Sequence, residues 1–309
     1  MYIVNHRTIF FWITGVILAA SVVAVAVWGL PLSIDFTGGS LVEVTYTDAR
    51  PSLDDLKSRI GELPLGETSV RESGANGIAV RARTLSPAEH EAILSALSSG
   101  GTVALTENRF TSIGPALGSE LGTKAIYAIV AVILAIVLYI AWAFRKVSRP
   151  VSSWVYGVTV IVILVHDVIV PTGFYALLCY LTGAQVDSLF VVALLAILGY
   201  SVNDTIVIFD RVREHLKQNE EKNVKQPFDE VVGQAITETL GRSINTSLTV
   251  VLALLALVFL GSPVTVNFAL VLLAGVVAGT YSSILLAAPM LVPMAKRFAK
   301  DVVVAGKKK

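Results

Sequence analysis

The chain has 309 residues, 54% of them hydrophobic and 15% charged, with a net charge of +1 and a mean hydropathy of +0.72. A soluble domain carries about 25% charged residues, so this is the composition of an integral membrane protein, and the near-zero net charge gives no case for nucleic acid. The single cysteine, Cys179, excludes intrachain disulfides and cysteine-based metal clusters. The four histidines (His6, His90, His166, His215) are scattered without metal-ligand spacing.

Thr8–Leu30 is an uncharged apolar run, long enough to cross about 30 Å of hydrocarbon. It is too long for a signal-peptide core and no small-x-small cleavage site follows it, so residues 1–30 are expected to be a cytoplasmic N-terminus and a retained first span. Residues 31–123 are polar and carry short strand signals. Leu41–Thr47 alternates and is β-branched, Ser52–Ile60 has helical spacing, and Ser69–Glu72 and Ile78–Arg83 bracket a turn at Gly74–Gly77 that contains Asn76-Gly77. Ser86, Pro87 and Glu89 form a capping-box signature that opens a helix to Leu97, and Val103–Arg109 alternates again. The order β-α-β-β-α-β is that of an inserted ferredoxin-like α+β domain. Its acids and arginines are spread like a solvated surface, with no catalytic grouping.

Residues 124–294 read as five more spans: Lys124–Phe144, Trp154–Leu181, Ser188–Phe209, Arg242–Leu260 and Val264–Met294, the last expected to tilt or break near Pro289 and Pro293. A loop over 210–241 separates the fourth and fifth, and 295–309 is a basic tail. The expected fold class is therefore a polytopic α-helical membrane protein with six transmembrane helices. Arg145, Lys146 and Arg149, then Arg211, Arg213 and Lys217, then Lys296, Arg297 and Lys300 all fall on one side. The loops Thr182–Asp187 and Gly261–Pro263 carry no Lys or Arg. The positive-inside rule then puts both termini in the cytoplasm and the inserted domain outside.

Asp204 lies six residues inside the water boundary if Asp210 marks it, roughly 9 Å deep, where an unpaired carboxylate costs several kcal/mol. The clean apolar part of the fifth span, Leu248–Leu260, is too short to cross, which draws Arg242, Asn245, Thr246 and Ser247 into the cytoplasmic side of the bilayer. Asp204 and Arg242 then come to similar depths. Burial opposes a carboxylate's charged form and a guanidinium favours it; opposed effects of this kind suit an Asp that loads and releases protons. A static ion pair that fixes helix packing, with Arg242 snorkelling to headgroups, accounts for the same charges. Asn203, Thr205 and Asn245 nearby can hydrogen-bond or hold water, which a static pair does not require. His166-Asp167 forms a second constellation in the middle of the third span, either a structural hydrogen bond or an auxiliary place in a proton path. Gly275 and Gly279, with Ala274 and Ala278, read as a close-packing face.

The segment Gly199–Glu214 (GYSVNDTIVIFDRVRE) resembles the fourth-span signature of the SecF family, the smaller component of the SecD–SecF protein-export complex. Ile34–Gly39 (IDFTGG) resembles the segment after that family's first span, Ile113–Gly118 (IGPALG) the one before its second, and His166-Asp167 its third-span pair. The similarity covers nearly the whole chain in order. It implies a resistance-nodulation-division-like architecture acting with a separate SecD-like subunit beside the SecYEG channel. There it uses the proton-motive force to help unfolded preproteins finish crossing a bacterial or archaeal plasma (inner) membrane. It also implies that Asp204 and Arg242 are the family's proton-relay pair, that Asp167 is auxiliary, and that protons are the coupling ion, with no cofactor, no metal and no classical enzymatic reaction. In that mechanism protonation of Asp204 breaks its pairing with Arg242 and shifts the fourth and fifth helices. An exporter of small or lipid molecules on the same scaffold, and a passive assembly factor of the channel, are the alternatives.

Overall fold

A computed structural model describes residues 2–74, 76–144 and 153–306. Arg145, Lys146 and Arg149, which enter the charge argument above, Lys307–Lys309 of the basic tail and Ala75 of the expected turn lie outside the described residues.

In chain order the elements are α1 (Tyr2–Asn5), α2 (Arg7–Trp28), α3 (Ile34–Thr37), β1 (Gly39–Tyr46), α4 (Leu53–Gly61), β2 (Ser69–Ser73), β3 (Gly77–Ala82), α5 (Pro87–Leu97), β4 (Leu105–Ile113), α6 (Pro115–Ala143), α7 (Ser153–Thr182), α8 (Ser188–Glu221), α9 (Phe228–Leu260), α10 (Pro263–Tyr281), a π-helical segment (Ser282–Ala287) and α11 (Ala288–Gly306). Six stretches among the described residues are helical, long and apolar enough to cross a membrane: Arg7–Trp28, Pro115–Ala143, Trp154–Thr182, Ser188–Glu221, Phe228–Leu260 and Thr265–Arg297. The chain divides into two compact units, one of 31–127 with 182–188, the other of 1–30, 128–181 and 189–309.

The smaller unit is built on a four-stranded antiparallel sheet in the order β2-β3-β1-β4. Alternate residues of β1 and β3 (Val42, Val44, Tyr46; Ile78, Val80, Ala82) point to one face, as a period of two requires. There they bury with Leu56 and Ile60 of α4 and Ile93 and Leu97 of α5. Helix starts follow local chemistry. Ser52 accepts from the Asp55 N–H at 3.2 Å, and Ser86 and Glu89 make the reciprocal capping box before α5. The Arg83 guanidinium and the Ser86 N–H hold the Glu89 carboxyl down at about 2.

In the larger unit Ile140, Phe144, Tyr156, Ile163, Leu198, Phe209 and Leu291 form one buried cluster. Phe144 stacks on Tyr156 at 5.0 Å and both meet the Phe209 edge. The stretch expected as a loop over 210–241 is instead mostly helix: α8 continues to Glu221 and α9 begins at Phe228. Its charges explain this. Arg211 bonds to Glu214 on its own helix and to Glu238 of α9, and His215 reaches Glu238 at 3.0 Å. Beneath them Val4 of α1, Ile208, Val212, Val231, Ala235 and Ile236 bury together. The last span does not break at its prolines. It widens over Ser282–Ala287, just before Pro289, whose ring clashes with the i−4 carbonyl of a regular helix.

Candidate functional site

The buried residues of α8, among them Phe190, Leu194, Ile197, Ser201, Asp204, Thr205, Ile208 and Val212, lie along one broad face of the helix. On that otherwise apolar face Ser201, Asp204 and Thr205 are the polar interruption. Asn203 and Asp210, on other sides of the helix, are exposed.

Two elements close over this stretch. Gly275 and Gly279 let α10 approach α8 at Ile197 and Ser201; a Cβ on Gly275 would stand 2.1 Å from Ile197 Cδ1, and one on Gly279 2.9 Å from Ser201 Cβ. The π segment then presents Ser283. Its hydroxyl lies 2.8 Å from Thr205 Oγ1, 3.3 Å from the Ser201 carbonyl and 2.9 Å from the Gly279 carbonyl. The widened turn thus turns a hydroxyl into the polar stretch of α8, a use of π-bulges frequent at functional sites.

From α7, His166 and Asp167 enter the same region, 2% and 0% exposed. Asp167 Oδ1 lies 2.7 Å from His166 Nδ1, and its Oδ2 accepts from Ser201 Oγ. His166 Nε2 lies 2.7 Å from the Tyr281 hydroxyl. Tyr281, His166, Asp167 and Ser201 form one hydrogen-bonded chain across α10, α7 and α8. From α9, Ser247 Oγ accepts from the Tyr200 hydroxyl at 2.9 Å and lies 2.6 Å from Thr280 Oγ1.

Asp204 sits among these groups at 4% exposure, and its Oδ2 has no hydrogen-bond partner. On α9, the Ser243 hydroxyl and the Arg242 charge are the groups that act on it. Ser243 Oγ, fully buried, likewise has no partner. Arg242 is exposed, and none of the ion pairs among the described residues joins it to Asp204. The expected ion pair is therefore not formed in this structure, for a geometric reason: successive helix residues point about 100° apart, and Ser243 holds the inward position. Of the polar neighbours expected around Asp204, Thr205 is brought in. Asn203 and Asn245 are exposed, and Thr246 bonds its own helix at the Arg242 carbonyl, 2.9 Å. Ser243, missed by sequence reading, had a signal: with Thr239 and Ser247 it recurs every four residues, and all three are buried. Cys179 is buried, Asp187 is half-buried, and no group of three or more His, Cys, Asp or Glu among the described residues is placed to hold a metal ion.

A bundle of membrane-length helices with a carboxylate, an Asp–His pair and a file of hydroxyls at its centre defines a multi-pass membrane protein with a titratable polar core. The model of the SecD/SecF protein export membrane protein C-terminal region matches residues 94–297, and that of the SecD/SecF GG motif matches residues 23–49. A protein translocase subunit SecF from Anaerolinea thermophila is 37% identical over 94% of this chain and 92% of its own length. One from Thermobaculum terrenum is 37% identical with the same coverage. The crystal structure of SecDF from Thermus thermophilus, described as a translocon-associated membrane protein, superposes with a TM-score of 0.79 at 32% identity. It covers 95% of this chain, which spans 38% of that solved chain. The chain belongs to the SecF family of protein translocase subunits, a component of protein export.

Proposed function

We propose that this chain works with a separate SecD-like subunit beside a SecYEG-type channel in the inner membrane. There it uses the proton-motive force to draw preproteins through the late stage of translocation. Both termini are cytoplasmic in this reading, the unit of residues 31–127 lies outside, and protons are the only coupling species. The relatives supply the export role. The proton coupling rests on one observation, that Asp204 is buried in a membrane-length helix with Oδ2 unpartnered.

That observation separates the two carboxylates. Asp167 has both oxygens hydrogen-bonded, to His166 and to Ser201, so its carboxyl group is held by fixed partners. Asp204 has no such set. A charge left there must acquire a partner or a proton, and either event changes how α8 packs against α9 and the π segment. Arg242, exposed one residue from Ser243, is the partner that a change in α9 would bring. Asp204 is the proton carrier in this mechanism, Arg242 its alternating counter-charge, and Asp167 the auxiliary group that keeps Ser201 in place. One charge crossing 100 mV supplies about 2.3 kcal/mol, which biases a two-state element about 50-fold.

The test is Asp204→Asn in the chain reconstituted with its SecD-like partner and channel. The expected outcome is loss of the stimulation of late translocation by a proton gradient, with basal translocation retained. Full stimulation in the Asn variant would discard proton coupling at this site. An assembly factor, the competing role, would tolerate both Asp204→Asn and Arg242→Ala whenever the complex forms.

A further inference from the structure

The glycine motif after α2 has a use that neither the polar core nor the family's names assign. Within the unit of 31–127 and 182–188, Asp35 Oδ2 accepts from the Ser188 backbone N–H at 2.9 Å and from Ser188 Oγ at 2.7 Å. Ser188 is the first residue of α8, and its N–H is one of the donors that a helix leaves unsatisfied at its start. Asp35 thus caps, from 153 residues away in sequence, the helix that carries Asp204 roughly 24 Å further along its axis.

The rest of the motif is built into the same place. Gly38, at φ +75°, passes so close to the start of α6 that a Cβ would stand 2.6 Å from Pro115 Cα, and Gly118 returns the contact on Gly38 N. Gly39, at φ +119°, leaves only 2.7 Å to the Ala82 carbonyl at the end of β3. Both dihedrals are left-handed, where a side chain is strained. The segment preceding Ser188 is stitched on as well. Ser33 N–H donates to the Val186 carbonyl and Val186 N–H to the Pro31 carbonyl, each at 2.8 Å, and Arg71 donates to the Gly183 carbonyl at 3.1 Å.

We propose that Ile34–Gly39 is a mechanical joint in which Asp35 is a positioning residue. It ties the first residue of α8 to the sheet-bearing unit and to the start of α6, so that movement of the Asp204 helix is delivered to that unit. The joint rests on the proton-driven reading above. A hydrogen-bonded cap on an otherwise continuous helix transmits both push and twist, and the glycines remove the side chains that would let the contacts slip.

Ser188→Pro tests it. Proline is favoured at the first position of a helix and has no N–H, so α8 keeps its start while both bonds from Asp35 disappear. In the full chain with its partner and channel, this variant is expected to assemble normally. The proton-sensitive carboxyl infrared band that Asp204→Asn removes should remain, while gradient-driven stimulation falls at least about fivefold, the lower end of a typical coupling free energy. Asp35→Ala should do the same, and Asp35→Asn, whose amide oxygen still accepts the Ser188 N–H, should keep most of the stimulation. Full stimulation in Ser188→Pro overturns the joint, and so does equal loss in Asp35→Asn and Asp35→Ala, which would make the charge rather than the tie the requirement. If Asp204→Asn itself keeps full stimulation, the proton-driven reading fails. If Asp204→Asn loses it and Ser188→Pro does not, only the joint fails.

Discussion

At the scale of single residues, the distinction that matters is between a buried polar atom with a partner and one without. Asp204 Oδ2 and Ser243 Oγ are both buried and unpartnered. A hydroxyl that makes no hydrogen bond contributes nothing to stability through one, and its removal is nearly neutral. Ser243→Ala is therefore expected to leave the thermal stability of the reconstituted chain unchanged or slightly raised. It should nevertheless shift the pH at which the Asp204 carboxyl band responds, because it deletes the nearest α9 dipole. Unchanged titration together with unchanged stability would remove Ser243 from the site. Asp204 was legible in the sequence because a charge in an apolar run is conspicuous. Ser243 was not, because serine is ordinary in a helix, and only its rotation toward α8 gives it a role.

At the scale of elements, two packing devices carry the site. The first is the glycine approach of α10 to α8. A methyl on Gly275 would stand 2.1 Å from Ile197 Cδ1, so Gly275→Ala must displace that side chain or the helix. Overpacking of this kind costs about 1–3 kcal/mol. The variant should unfold at lower temperature, and Ile197→Ala in the same chain should recover most of the loss; no recovery would mean that the helices do not meet there. The second device is the capping box of α5. Glu89 is held down at about 2 by Arg83 and Ser86, below an unfolded glutamate. Its stabilisation is therefore complete above the unfolded value and is lost as pH falls through about 2. Proteolysis of the sheet-bearing unit across pH 5 to 2 should show that loss in the native chain and a flatter profile in Glu89→Gln. The capping box was readable from Ser86, Pro87 and Glu89 alone, since its bonds span three residues. The π segment was not: the prolines announced an irregularity, but its placement one turn earlier depends on Ser283 finding Thr205 and the Ser201 carbonyl.

At the scale of the whole molecule, hydropathy sufficed for six membrane-length helices, and strand alternation with turn and capping chemistry for the chain order of the four strands and two helices of the inserted unit. Both patterns are local, repeat along the chain and need no knowledge of neighbours. The sequence by itself also marked Asp204, Asp167 and His166 as the costly groups, since the cost of a charge in hydrocarbon does not depend on which helices surround it. What only the tertiary structure decided is which groups meet. It turned the expected loop over 210–241 into two helix extensions joined through Arg211, Glu238 and His215. It bonded Tyr281 to His166 across the larger unit, turned Ser243 rather than Arg242 toward Asp204, and set Asp35 on the first residue of α8. Those pairings are separated by up to 153 residues and depend on helix rotations of about 100° per residue. Side-chain direction at that precision is fixed by packing, which a linear pattern does not contain.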